Sequence, residues 1–148
     1  MKKIFLLVFV TAFNLIASEE KINLFDLYKE LHSNPELSYQ ETETSNKLAV
    51  ILDGMGYEVT KNVGGNGVVA LLENGDGKTI MLRADMDGLP VEEKTRASYA
   101  SKKKTLNLEG VEVFTMHACG HDVHMSVLIG AAEFLAVSYT HLTLPTKA

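Results

Sequence analysis

The stretch MHACGHDVHMSVLIGAAEFL, residues 116–135, starts as a run crowded with metal-binding side chains and continues as a helix. His117, His121 and His124 are three of the chain's five histidines, and Cys119 is its only cysteine. Cys119 and His121 are two positions apart. That spacing suits an extended loop that folds both side chains onto one ion, and it does not suit a helix face. From Asp122 to Ala136 the pattern is helical, with His121, His124, Met125, Leu128, Ala132 and Leu135 on one side. A loop that delivers ligands to the start of a helix is therefore the expected local structure. A lone thiol cannot close an internal disulfide, so Cys119 is metal-bound, free and reactive, or simply buried. Sulfur and nitrogen donors favour zinc, nickel or cobalt, while manganese prefers oxygen, so the donors alone do not choose the metal. Two ligands do not complete a tight site, and the others must come from elsewhere.

Working outward, Leu24, Leu27, Tyr28 and Leu31 repeat with helical period up to Asn34-Pro35, which predicts a helix over 22–33. SYQE, residues 38–41, has capping-box spacing, and Leu48, Ile51, Leu52 and Met55 predict a second helix over 40–54. YEVTKNV, GVVALLE and KTIMLRAD read as three strands separated by glycine-rich turns, with the last two expected to form a hairpin. Helices, strands and a closing helix give an α/β layout. RADMDGLPVEE, residues 83–93, ends an apolar strand in carboxylates, which is where open α/β sheets place their ligands. Asp85 is the candidate there, whereas Glu92 and Glu93 read as a solvated acidic turn. His124 reads more readily as a supporting or core histidine than as a ligand, His117 is ambiguous, and His32 and His141 read as surface residues.

The chain has 148 residues, 46% apolar and 22% charged, with a formal charge of −5, which suits one domain or a piece of one. The acidic balance of the chain disfavours nucleic acid as a partner. Lys2 and Lys3, an apolar run from Ile4, and the small residues Ala17 and Ser18 read as a signal peptide over 1–18. The run is shorter than the roughly 20 residues a spanning helix needs. The mature chain is thus expected to be exported, periplasmic or extracellular, with no membrane attachment after cleavage.

LHSNPELSYQE (31–41), RADMDGLPVEEKT (83–95) and MHACGHDVHMSVLIGAAEFL (116–135), in this order, resemble the amidohydrolase branch of the zinc carboxypeptidase and aminoacylase family. That branch holds hippurate hydrolases, indole-acetyl-amino-acid hydrolases and N-acetyl-diaminopimelate deacetylases. The resemblance implies the N-terminal part, over 19–136, of a truncated metallopeptidase-type catalytic domain, a central sheet flanked by helices. It implies that Cys119 and His121 are metal ligands and that Asp85 belongs to the active site, with Arg83 standing where more distant relatives carry a ligand histidine. It further implies a divalent metal ion (zinc, manganese, nickel or cobalt), a small N-acyl amino acid or dipeptide-like substrate, and a homo-oligomeric full-length enzyme that hydrolyses amides. The glutamate pair that supplies the family's base is expected beyond residue 136. The tail VSYTHLTLPTKA, 137–148, breaks the helical pattern and reads as non-native. The alternative to an amidohydrolase is a truncated, non-catalytic metal-binding or inert remnant.

Overall fold

A computed structural model describes residues 21–142, with side chains to residue 138. The signal-peptide segment 1–18 and the last six residues of the expected tail lie outside the described residues. The elements in chain order are α1 (Leu24–Ser33), α2 (Thr42–Gly54), β1 (Glu58–Val63), β2 (Gly67–Leu71), β3 (Lys104–Leu106), β4 (Glu112–Phe114) and α3 (His121–Leu142). The class is α/β, with three helices packed together and two antiparallel hairpins, β1–β2 and β3–β4, among the described residues.

Both predicted N-terminal helices form. Asn23 caps α1, its side-chain oxygen accepting from the amides of Phe25 and Asp26, which satisfies donors the helix leaves open. At α2 the SYQE box does not close, because Glu41 occupies the cap position and its side chain makes no bond to the helix amides. Glu36 acts instead. Its buried carboxylate accepts from the amides of Glu43 at 3.3 Å and Thr44 at 2.8 Å, placing a negative charge on the positive end of the helix.

Helix α3 begins one residue before the predicted start and runs to Leu142, six residues past Ala136. Its buried face is rotated from the predicted one: Asp122, Met125, Ser126 and Ile129 point inward at i, i+3, i+4 and i+7, while His124 and Leu135 face solvent. The rotation follows from Asp122, a carboxylate drawn inside by a buried partner described below. Met125 and Ile129 then meet Leu27 and Leu31 of α1 and Leu48 of α2 to make the core.

The hairpin assignment is corrected. GVVALLE pairs with YEVTKNV, since the short Gly64-Gly65-Asn66 connection brings those two runs together, Thr60 opposite Val69. KTIMLRAD joins neither hairpin, and Ile80 and Met81 are 85% and 83% exposed. Its continuation is held by single bridges. Leu37 pairs with Gly88, and Leu89 pairs with Met116 through bonds of 2.8 and 3.0 Å. The 86–90 segment is thus threaded between the end of the α1 loop and the run that leads into α3.

Gly88 permits that threading. A Cβ there would lie 2.9 Å from Cβ of Pro35, 3.1 Å from Cγ2 of Thr115 and 3.3 Å from the carbonyl oxygen of Glu36. Gly88→Ala is expected to lower stability by about 1–3 kcal/mol through overpacking at a three-way contact. Urea denaturation measures it, and an unchanged midpoint would show that the segment shifts freely.

Candidate metal centre

Residues 116–121 form a tight turn that needs a left-handed residue, supplied by Gly120 at φ +80°. The Ala118 amide donates to the Met116 carbonyl at 2.9 Å, and that of Gly120 to the His117 carbonyl at 3.2 Å. Cys119 is exposed on this turn. His121 opens α3 with its ring mostly enclosed, and Nδ1 donates to Asp87, reaching the main-chain oxygen at 2.9 Å and carboxylate Oδ1 at 3.0 Å. That bond places a proton on Nδ1, so in the neutral ring the lone pair is on Nε2.

Asp87 is held in turn by the Ser38 hydroxyl, which donates to Oδ2 at 2.6 Å. Burial works against its ionisation, but the bonds from Ser38 and its own amide and the adjacent His121 outweigh it, and the carboxyl sits below its ordinary range. Asp85, two residues earlier, is paired with Arg83 and is 43% exposed. The carboxylate that touches His121 therefore belongs to Asp87. The Asp-x-Asp alternation does not separate the two, because an extended chain turns residues two apart to one side.

His124 lies on the solvent side with its ring centroid 6.1 Å from that of His121. His117 is only 4% exposed, and neither ring nitrogen has a hydrogen-bond partner among the described residues. Burial pushes its pKa down against the pull of the nearby Asp122 charge. Among the described residues, no three His, Cys, Asp or Glu side chains converge on a metal position. Cys119 and His121 are a pair of donors on one turn.

Two readings of the sequence are corrected behind this turn. His32 is buried rather than on the surface: Nδ1 lies 2.6 Å from Oδ2 of Asp122 and Nε2 lies 3.1 Å from Oε1 of Glu93. Glu93 is fully enclosed rather than solvated, and it also accepts from the Ser101 amide at 2.5 Å and from the Thr95 hydroxyl. The physical reason is mutual: a carboxylate enters the interior only with strong donors, and here a histidine supplies them to two carboxylates at once. His141 lies among residues whose side chains are not described.

Burial works against a charged His32, but bonds to Glu93 and Asp122 outweigh it and raise its pKa above 6.5. For Glu93, burial opposes ionisation, yet the Thr95, His32 and Ser101 contacts lower its pKa below 4.5. The signs follow from linkage. The His32 contribution to stability is complete below 6.5 and is lost as pH rises through the raised folded value. The Glu93 contribution is complete above 4.5 and is lost as pH falls through the lowered folded value. The difference in melting temperature between the unsubstituted chain and His32→Leu should thus be largest at about pH 5–6 and shrink on either side. A pH-independent difference would contradict the charged network.

Residues 81–145 match the model of peptidase family M20/M25/M40. A hippurate hydrolase of Campylobacter jejuni is 44% identical over 108 residues, covering 72% of this chain and 26% of that protein. An N-acetyl-L-cysteine deacetylase of Bacillus subtilis is 41% identical over 113 residues, covering 76% and 25%. Among solved structures, the Bacillus subtilis YXEP protein, described as a dinuclear metal binding peptidase from the M20 family, superposes with a TM-score of 0.68 at 37% identity, covering 80% of this chain and 31% of that one. This chain thus spans about a quarter of the length of the curated relatives it matches. The family-model match over residues 81–145, these identities and the shared fold make this chain similar to the corresponding part of peptidase family M20/M25/M40 proteins.

Proposed function

We propose that this chain contributes Cys119 and His121 as ligands to the metal centre of an amidohydrolase that cleaves small N-acyl amino acids or dipeptide-like substrates. The observation that carries the proposal is the bond from His121 Nδ1 to Asp87, which leaves Nε2 outside that bond on the turn that also exposes Cys119. A histidine whose far nitrogen is bound by a carboxylate is the usual setting of a metal ligand. The donor set suits a divalent ion, zinc, manganese, nickel or cobalt, and the relatives named above fit amide substrates.

When bound, such an ion polarises a carbonyl and lowers the pKa of a water ligand. The chain's own residues have other tasks. Ser38 holds the Asp87 carboxylate, and Asp87 orients His121. Asp85 stands at the solvent edge of the same segment as the proposed active-site acid, with Arg83 steadying it. Beside Ser38 and Gly88 lies a cleft of about 210 Å³ walled by Leu37, Leu89, Pro90 and Leu108, roomy enough for an apolar side chain or acyl group. Glu93 is not available as a base, since both of its oxygens are committed. The remaining ligands and the base are proposed to come from segments beyond the described residues.

A metal-binding protein without turnover is the second reading, and it rests on the absence, among the described residues, of three candidate ligands that converge. Cobalt titration tests the site. The unsubstituted chain should develop a cobalt–thiolate absorption band, Cys119→Ser should abolish it, and His121→Ala or Asp87→Ala should weaken binding about tenfold or more. Unchanged binding in Cys119→Ser would sink the site. Glycine release from N-benzoylglycine then separates a hydrolase from a metal-binding protein without activity.

A further inference from the structure

The metal donors are carried by the turn that ends at His121, and the group that orients His121 is carried by the 86–90 segment. One side chain ties the two regions together from behind. His32, in the last turn of α1, meets Asp122, the residue directly after His121, and Glu93, six residues after Asp87. Each partner is anchored further: Asp122 Oδ1 accepts from the Val123 amide at 2.9 Å, and Glu93 from Ser101 and Thr95. The imidazole is also boxed between Tyr28 and Tyr99, with ring centroids at 5.6 and 5.4 Å. It has little freedom to turn, so the spacing between its two carboxylates is fixed.

We infer that His32 is a positioning residue for the metal centre, setting the start of α3 against the 87–93 segment so that His121 keeps its bond to Asp87 and presents Nε2 beside Cys119. This inference rests on the reading of Cys119 and His121 as ligands. A buried ion pair kept for stability alone is replaceable by apolar packing at little cost. A clamp between the two carriers of a site is not, because its loss misplaces ligands even where the fold survives.

Cobalt binding to the whole chain tests this, with His32→Ala and the conservative His32→Gln compared against Leu48→Ala, a core truncation in α2 away from the turn. His32→Ala should lower cobalt affinity about tenfold and alter the shape of the cobalt–thiolate band, measured well below its melting temperature. His32→Gln should lie between. Leu48→Ala should lower the melting temperature and leave affinity and band unchanged. If His32→Ala does not fold, His32→Gln carries the test with the same two readouts. Affinity and spectrum equal to the unsubstituted chain in a folded His32 variant would overturn the inference while leaving the metal site standing. No cobalt–thiolate band in the unsubstituted chain would remove the ligand reading itself, and the role of His32 with it.

Discussion

An imidazole that contacts two carboxylates through both ring nitrogens must carry a proton on each, so His32 brings a buried positive charge between Asp122 and Glu93. Much else follows from this. Asp122 could not enter the interior without it, and with Asp122 inward α3 presents Met125 and Ile129 to α1 and α2 instead of the stripe that hydrophobic spacing alone suggests. Breaking such a pair by removing one member leaves uncompensated charge and costs about 3–5 kcal/mol, as much as a large core truncation. The helix is thus oriented by a polar contact, and the apolar packing conforms to it.

That order of causes explains which features the sequence discloses. The helices over 24–33 and 42–54 are legible because their period and boundaries are local, as are the turn at Gly120 and the donor pair Cys119 and His121. Long-range contacts are not. His32 and Asp122 are 90 positions apart, and although His32 falls four residues after Tyr28 on the apolar stripe of α1, nothing near it discloses which partner it meets. The Glu36 cap of α2 is hidden for a related reason: the Ser38–Glu41 spacing offers a plausible box, and a buried carboxylate from outside the helix does the work instead. The face of α3 is misjudged because hydrophobic spacing gives weight to Leu135 and none to Asp122.

The placement of Asp85 and Asp87 shows a finer limit. Both end the same apolar run, and both point to one side of an extended chain. Their environments separate them: Asp85 finds Arg83 and solvent, while Asp87 finds Ser38, 49 positions away, and His121, 34 positions ahead. The adjacent Gly88 lets the backbone approach Pro35 and Thr115 closely enough for Asp87 to reach both partners. A glycine beside an aspartate is ambiguous in sequence, and only the packing shows that it determines which carboxylate meets the histidine.

The distribution of charge then has a consistent logic. Glu36, Glu93 and Asp122 are taken inside, each with identified donors, and each fixes one backbone segment against another. Cys119, by contrast, is left exposed, and His121 keeps one nitrogen uncommitted. Groups that hold the frame have their hydrogen-bonding capacity used up, whereas groups that bind an ion must keep a lone pair free and reachable. Satisfied acids behind the turn and unsatisfied donors on it are the arrangement that the proposed metal site requires.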